Sequence, residues 1–341
     1  MENFNKSGCI AQPLLTIAIP TYNRSEYLDI CLRRIGEEIA DLSEDLRKLV
    51  NVYVSNNGSS DNTSNVICKY QTGIFPRFEV VNNIENIGPD RNIMQCYSSA
   101  KTPYVWVFGD DDVILSGGLR KVLNILVKKN DINILYVNGY SYSNSYLDEP
   151  VKGRGNSGVV EYIDPLDFVK RTHIMLTFIT ALIVRSGVCL IPFDELVDGS
   201  NLSQMSWVLA LIRDGKKFAI LEDRIYAAKI ANSGGYGAVK VFGSNLCHIA
   251  NVILVKQPRL VGAIKNGTIV MWFPTYIMSL RGGMDVGFSR ENIAVDLKKV
   301  YGGNWRYYVF LAPLISLPNF IVPVYYIVVR LIRKLLRPIL I

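Results

Sequence analysis

Short apolar runs alternate with amphipathic stretches over the first 140 or so residues, and that alternation sets the expected fold. Residues 14–20 (LLTIAIP) form an apolar, β-branched run ending at a proline, which predicts a buried strand. Residues 24–40 carry Tyr27, Leu28, Cys31, Leu32, Ile35 and Ile39 at helical spacing. A second strand is predicted at 49–55 (LVNVYVS). Turn chemistry follows at 56–62 (NNGSSDN), where Ser60 or Asp61 is placed to cap the next helix. Residues 78–82 predict a third strand and 89–100 a helix. Residues 104–109 (YVWVFG) predict a fourth strand, uniformly apolar and therefore central. A helix at 119–129 and a fifth strand at 132–138 complete the series. Strands alternating with helices imply parallel pairing with helices on both faces, a doubly wound α/β arrangement.

The rhythm loosens beyond residue 138. Residues 139–158, rich in Ser, Asn, Tyr and Gly, predict a loop or irregular hairpin. Residues 178–184 and 218–221 predict strands, 202–213 a helix, 231–237 (ANSGGYG) a flexible loop, and 239–301 mostly helix. Residues 309–329 carry no charge and are long enough to cross a bilayer. Pro313, Pro318 and Pro323 nevertheless interrupt any single straight helix there. Arg330, Arg333, Lys334 and Arg337 follow, interleaved with Leu331, Ile332, Leu335 and Leu336, the pattern of a basic helix lying on anionic lipid. A basic tail prefers the cytoplasmic side. With both flanks on that side, a broken, interfacial or re-entrant hydrophobic platform is expected rather than a single span or a core helix.

Composition adds three limits. Of 341 residues, 49% are apolar, enough for a sizeable core. The net charge of +7 admits nucleic acid, an anionic membrane or a polyanionic small substrate as partner; the basic cluster at the C-terminal end favours the membrane and argues against nucleic acid. The six cysteines include no CxxC pair, and only His173 and His248 are available beside them, so buried free thiols in a reducing compartment are expected rather than a zinc site. Residues 1–13 are polar and lack the apolar segment of a secretory signal, so the catalytic part is expected to stay in the cytoplasm.

In open parallel sheets, ligands bind beyond the carboxyl ends of the strands. Three polar motifs fall there: Pro20-Thr21-Tyr22-Asn23-Arg24 after the first strand, Asn56-Asn57-Gly58-Ser59-Ser60-Asp61 after the second, and Gly109-Asp110-Asp111-Asp112 after the fourth. Three adjacent aspartates repel one another unless a cation offsets them, and hard oxygen ligands suit Mg2+ or Mn2+ bridging carboxylates and substrate phosphates. The alternative is an Asp-rich turn capping the next helix. Arg91, in Asn86-Ile87-Gly88-Pro89-Asp90-Arg91-Asn92, either reaches the same crevice as a diphosphate clamp or lies on the surface paired with Asp90.

Together TIAIPTYNR (residues 16–24), VYVSNNGSSDNT (52–63), NIGPDRN (86–92) and VFGDDD (107–112) resemble the family-2 glycosyltransferases of GT-A fold, in that family's order and spacing. The resemblance covers roughly residues 14–225. It implies a GT-A-type doubly wound mixed sheet with helices on both faces (14–230), preceded by a tail (1–13). A helical extension (231–304) and a hydrophobic and basic membrane-association segment (305–341) follow. NIGPDRN followed by GDDD is most similar to the O-antigen enzymes of abequosyltransferase type. Those enzymes transfer a 3,6-dideoxyhexose from a CDP-sugar to a lipid-linked oligosaccharide. The implied location is the cytoplasmic face of a bacterial inner membrane.

The resemblance also implies roles. Asp111 matches the ligand of the Mg2+ or Mn2+ that bridges the donor diphosphate, Asp110 faces the ribose and sugar, and Asp112 lies beside metal and acceptor. Pro20, Thr21, Tyr22 and Asn23 frame the nucleotide, and Asn56 and Asn57 face the base where many members carry two aspartates. An Asn amide can donate to the ring nitrogen of cytosine, which is compatible with a CDP donor, although Asn also accepts from uracil. A second departure concerns the base. Inverting members carry a Glu-Asp pair that counting back from Gly215 aligns with Ser203 and Gln204, neither of which deprotonates a hydroxyl. Asp194, Glu195 and Asp198 are the nearby carboxylates; the alternatives are that the donor phosphate takes the proton, or that these are solvated loop charges. A UDP- or dTDP-sugar transferase, a nucleotidyltransferase and a non-catalytic membrane-bound sugar-binding scaffold are the competing functions.

Overall fold

The structure is a computed structural model that describes residues 12–148, 157–187, 196–230 and 235–341. Its N-terminal half runs β1 (Leu15–Thr21), α1 (Ser25–Ala40), α2 (Glu44–Arg47), β2 (Val50–Asn56), α3 (Thr63–Tyr70), β3 (Phe78–Asn82), α4 (Pro89–Ser99) and β4 (Tyr104–Val107). Then come β5 (Val113–Ile114), α5 (Gly118–Lys128), β6 (Ile134–Tyr142), β7 (Val159–Tyr162), α6 (Pro165–Thr172), β8 (Leu182–Arg185), α7 (Met205–Asp214) and β9 (Phe218–Lys229). Helices dominate the remainder: α8 (Leu246–Ile253), α9 (Pro258–Gly267), α10 (Phe273–Arg281), α11 (Ile293–Tyr301), α12 (Trp305–Phe310), α13 (Ala312–Ser316) and α14 (Val322–Leu340).

The described strands form one mixed sheet in the order β3-β2-β1-β4-β8-β6-β9-β5, with β7 also on β9. β1 lies parallel to both β2 and β4, and β2 parallel to β3, so Thr21, Asn56 and the residues after Val107 share one sheet edge. Every residue of β2 and β4 is buried, as expected for strands covered on both faces. The uniformly apolar β4 is indeed central. The fifth expected strand is present, but it does not join β4 directly. β8 inserts antiparallel to both β4 and β6. The sheet is therefore mixed from β4 onward, as the resemblance implied, with parallel pairing from β3 to β4.

Residues 139–142, expected as loop, continue β6 and pair with β9 through two register shifts. Gly139 is required there: a Cβ would meet the Tyr226 ring at 2.4 Å. β9 likewise runs to Lys229 rather than stopping at Leu221. Of the expected loop at 231–237, residues 231–234 lie outside the described residues. Among the described cysteines, Cys31 and Cys96 are buried free thiols as expected, whereas Cys68 is exposed.

A single core unites the sheet with α1, α4, α5, α7, α8 and α9. A second cluster joins Ala238 and Val239 to Ile269, Val270, Phe273, Leu297, Phe310, Leu314, Val322, Val329 and Leu340. Pro313, Pro318 and Pro323 divide the uncharged 309–329 stretch among α12, α13 and α14, and among the described residues no helix is long and apolar enough to cross a membrane. The basic end of α14 is tied down: Arg337 donates to the Arg171 carbonyl at 2.8 Å, and Arg333 to the Met271 carbonyl at 2.8 Å.

Candidate active site

Three loops at the carboxyl edge of the sheet converge as the motif positions require. The Asn57 N–H donates to the Thr21 carbonyl at 2.9 Å, joining the first two. Asn23 reinforces the join from a left-handed backbone (φ 51°), its side-chain oxygen accepting from the Ser60 N–H at 2.8 Å. Asn is among the few side chains that tolerate this conformation. Gly58 (φ 71°) is obligatory, since a Cβ would lie 2.6 Å from the Glu85 carbonyl carbon. The third loop meets the first when Thr21 donates its hydroxyl to Asp110 at 2.8 Å.

Asp110, Asp111 and Asp112 turn back over Gly109, where a Cβ would stand 3.0 Å from an Asp112 oxygen and 3.1 Å from an Asp111 oxygen. The turn is pinned from three sides. Thr180 accepts from the Gly109 N–H at 3.0 Å and donates to Asp112. The Lys229 N–H donates to Asp112 at 3.2 Å, and the Tyr142 hydroxyl donates to the Asp111 carbonyl at 3.1 Å. Arg24 supplies the opposing charge, its guanidinium lying 3.1 Å from Asp110 and 3.4 Å from Asp111. Burial pushes Asp110 up to about 6 despite Arg24, and holds Asp112 well above the usual carboxylate range, with Asp111 adding to the rise. Burial opposes the Arg24 charge, but Asp110 and Asp111 outweigh it and stabilise the cation.

These groups floor a cavity of about 690 Å³. Pro20, Thr21, Tyr22, Asn57, Asp110, Asp111 and Asp112, all expected at the site, line it. Its opposite wall is apolar: Phe178 and Ile179 from the segment before β8, Ile230 after β9, and Tyr236, Val286 and Phe288 from the helical extension. The sequence pattern had not marked these wall residues, nor Thr180 and Lys229. Apart from Lys229 at the end of β9, they stand on irregular segments, so neither a strand nor a helix period marks them.

Several expected positions are corrected. Asn56 is buried below the cavity, its amide donating to Asn82 at 3.0 Å. Asn57 lines the cavity, but its amide nitrogen is engaged with Asn86 at 2.8 Å and the Gly88 carbonyl at 3.3 Å. The two amides thus bridge neighbouring loops in this structure. Arg91 does not line the cavity; it pairs with Asp198 at 2.7 Å on the surface. Asp90 does not pair with it. Asp90 is buried and accepts the N–H groups of Asn201 and Ser203 at 2.9 and 3.0 Å, anchoring the loop before α7. Ser203 and Gln204 are buried, and Asp198 is held by Arg91. Asp194 and Glu195 lie outside the described residues.

A divalent cation fits the donor chemistry but not as a closed protein cage. Among the described residues no three His, Cys, Asp or Glu side chains converge on one ion position. Asp111, with 15% of its side chain exposed at the cavity floor, offers hard carboxylate oxygens, and the rest of the shell would come from substrate phosphates and water.

Comparison with known proteins bears directly on this site. Residues 16–184, which contain all three loops, match the family described as glycosyl transferase family 2. The chain is 33% identical over 120 residues to abequosyltransferase RfbV of Salmonella typhimurium; the match spans 35% of this chain and 34% of that relative. Among solved structures, S. aureus TarS 1–349 aligns with a TM-score of 0.57 at 17% identity, covering 78% of this chain and 79% of that one. The same protein in complex with UDP-GlcNAc gives 0.55 at 16% identity, covering 84% and 81%. The mannosyltransferase PcManGT of Pyrobaculum calidifontis, in complex with GDP-Man and Mn2+, gives 0.50 at 13% identity, covering 95% and 88%. The mixed α/β sheet is therefore similar to that of the GT-A glycosyltransferases.

Proposed function

We propose that the cavity binds a nucleoside-diphosphate sugar over Asp110–Asp112 and transfers its sugar to a lipid-linked oligosaccharide; residues 16–184, which hold its three loops, match glycosyl transferase family 2. The observation that carries this reading is the convergence of three strand-end loops on buried acids in a cavity with an apolar far wall. The abequosyltransferase relative supports a 3,6-dideoxyhexose such as abequose, carried on CDP, and a role in O-antigen assembly. With the Asn56 and Asn57 amides engaged elsewhere, a UDP- or dTDP-sugar remains the second reading.

In this mechanism Asp110, held by Thr21 and Arg24, accepts from donor hydroxyls, and Tyr22, 42% exposed, covers the nucleotide. Asp111 would hold Mg2+ or Mn2+, which neutralises charge on the leaving diphosphate. Arg24 would exchange a carboxylate for a phosphate oxygen as the donor enters. Asp112, which lines the cavity, is a candidate to receive the acceptor's proton, with Asp194 and Glu195 as the others. Fixing the acceptor hydroxyl near the anomeric carbon supplies the proximity term.

The C-terminal region is proposed to rest on the cytoplasmic face of the bacterial inner membrane. Phe320, Val324, Ile327, Val328, Leu331, Leu335 and Ile339 are all exposed, spaced along α14 and its approach to form one apolar stripe. Exposed Trp305 and Tyr308 on α12 are aromatics of the kind enriched at membrane interfaces.

Calorimetry with CDP, UDP, GDP and dTDP, with and without Mn2+, tests the donor site. Manganese-dependent binding of CDP above the others supports the dideoxyhexose reading. Preference for another nucleotide keeps the transferase and discards CDP. Binding of none would leave a sugar-binding scaffold as the better account.

A further inference from the structure

A second cavity, of about 510 Å³, opens beside α14, far in chemistry from the acidic one. Its polar lining is Arg330, Arg333, Lys334 and Arg337 from α14, Tyr326 one turn earlier, and Thr275 from α10. No carboxylate lines it, and among the described residues none of the four cations forms an ion pair. Glu222, an acid whose charge reaches Arg337, is engaged by Arg171 at 3.2 Å. Four like charges gathered within two turns cost energy unless an anion offsets them. Burial, reinforced for Arg337 by Arg171 and Arg333, pulls Arg333 and Arg337 below the ordinary guanidinium value.

The cluster is held open rather than collapsed. Arg333 and Arg337 are each anchored by one N–H to a backbone carbonyl, at Met271 and Arg171. Each guanidinium has further N–H groups in a planar fork, the geometry that matches phosphate oxygens. The Tyr326 and Thr275 hydroxyls are hydrogen-bonded to each other at 3.1 Å, which leaves one hydroxyl hydrogen of the pair to donate to an anion.

We propose that this cavity is a phosphate-binding site that seats the headgroup of an anionic phospholipid, so that α14 recognises lipid chemistry as well as lying on a surface. This rests on the membrane reading above. What selects a lipid over a free anion is the position of the cavity. The four cations follow one another at three, one and three residues, along one flank of the helix. The exposed stripe Val324, Ile327, Val328, Leu331, Leu335 and Ile339 occupies the neighbouring face. With that stripe in the acyl boundary, the flank sits at headgroup depth.

The cavity also lies close in the fold to the proposed sugar-transfer site. Met271 and Thr275 line the basic cavity, while Trp272 and Tyr276 of the same segment stack at 5.1 Å. Both pack on Phe288, at 6.2 and 5.6 Å, and Phe288 lines the acidic cavity. An aromatic layer thus separates the two sites, and a seated headgroup fixes the orientation of the catalytic cavity relative to the bilayer.

The test is flotation of the full chain with vesicles of phosphatidylcholine, of equimolar phosphatidylcholine and phosphatidylglycerol, and of phosphatidylcholine with oleate at equal charge. Binding is expected to favour phosphatidylglycerol over both others. The double variant Arg330→Gln/Lys334→Gln should weaken that binding roughly 30-fold, two charges at about 1 kcal/mol each. Tyr326→Phe, which leaves the net charge unchanged, should weaken it roughly three- to tenfold, one hydrogen bond's worth. If Tyr326→Phe binds like the parent, or oleate vesicles match phosphatidylglycerol, the cations act as diffuse charge and the site is refuted. If inorganic phosphate binds at low millimolar concentration and displaces the protein from vesicles, the cavity serves a soluble anion and the lipid assignment falls. Failure of the parent chain to bind any vesicle overturns the membrane reading with it, and leaves the nucleotide calorimetry as an independent measure of the transferase.

Discussion

The acidic cavity and the basic cavity handle surplus charge in opposite ways. At the first, Arg24 already spans Asp110 and Asp111, and Thr21, Thr180 and the Lys229 N–H satisfy further oxygens. At the second, four cations share a cavity without an acid in its lining. A ligand entering the acidic site must therefore rearrange bonds that exist, which suits a reaction cycle in which a diphosphate arrives and leaves. A ligand entering the basic site relieves repulsion without displacing an ion pair, which suits a standing attachment. The difference is one of internal compensation.

The sharpest way to break this comparison is to remove one acid. Asp111→Asn is expected to lower transfer roughly 100- to 1,000-fold, the scale of losing one main electrostatic stabiliser at a reaction centre. The fold should stay intact, since the Asp111 side chain is partly exposed and only its carbonyl accepts from Tyr142. Turnover measured beside a thermal melt decides: near-parent turnover in a folded variant would remove Asp111 from the chemistry. A smaller effect is expected at Arg24. Arg24→Gln should lower transfer by roughly 10- to 100-fold through loss of a charge-assisted contact. It should also strengthen Mn2+ binding in the absence of nucleotide, because the internal cation is gone. Unchanged manganese affinity would mean that Arg24 does not compensate the site.

The sequence made the acidic side legible and left the basic side half-written. PTYNR, NNGSSD and GDDD each follow a strand whose apolar run is unmistakable, so their convergence followed from parallel pairing alone. The side chains that complete the site were harder. Thr180 precedes a short strand that inserts antiparallel, and Phe288 stands between helices, so neither carries a period that marks it. The resemblance places Asn56 at the base, whereas Arg91 is read from its charge and its position at the start of α4, with a surface pairing as the alternative. In the structure the buried Asn56 amide is satisfied by Asn82, and the exposed Arg91 guanidinium pairs with Asp198, on the surface but not with Asp90. For α14, the alternation of basic and apolar residues foretold an amphipathic helix. That its cations enclose a cavity depends on where α10 packs, which no local pattern encodes.

The smallest expected effect sharpens the basic side through His173. This residue is buried at the end of α6 with a positive φ (39°), and Gly267 of α9 is pressed against it so closely that a Cβ there would lie 2.3 Å away. Its Nε2 is 3.3 Å from the Arg337 guanidinium. Burial first, then Arg337, Arg333 and Arg171, lower its pKa to about 3. Protonation would add another positive charge to a region with no acid to spare. The folded state therefore resists the proton that the unfolded chain accepts near 6.5, so this contribution to stability is complete above that pH and declines as pH falls from 6.5 toward 3. At pH 5 the loss should be about 2 kcal/mol. His173→Asn keeps a polar side chain at this position and removes the titration. Its melting temperature should therefore fall less steeply between pH 7 and pH 5 than that of the parent. Parallel curves would show that His173 is not held neutral by the cations around it, and that the basic side is better compensated than its side chains imply.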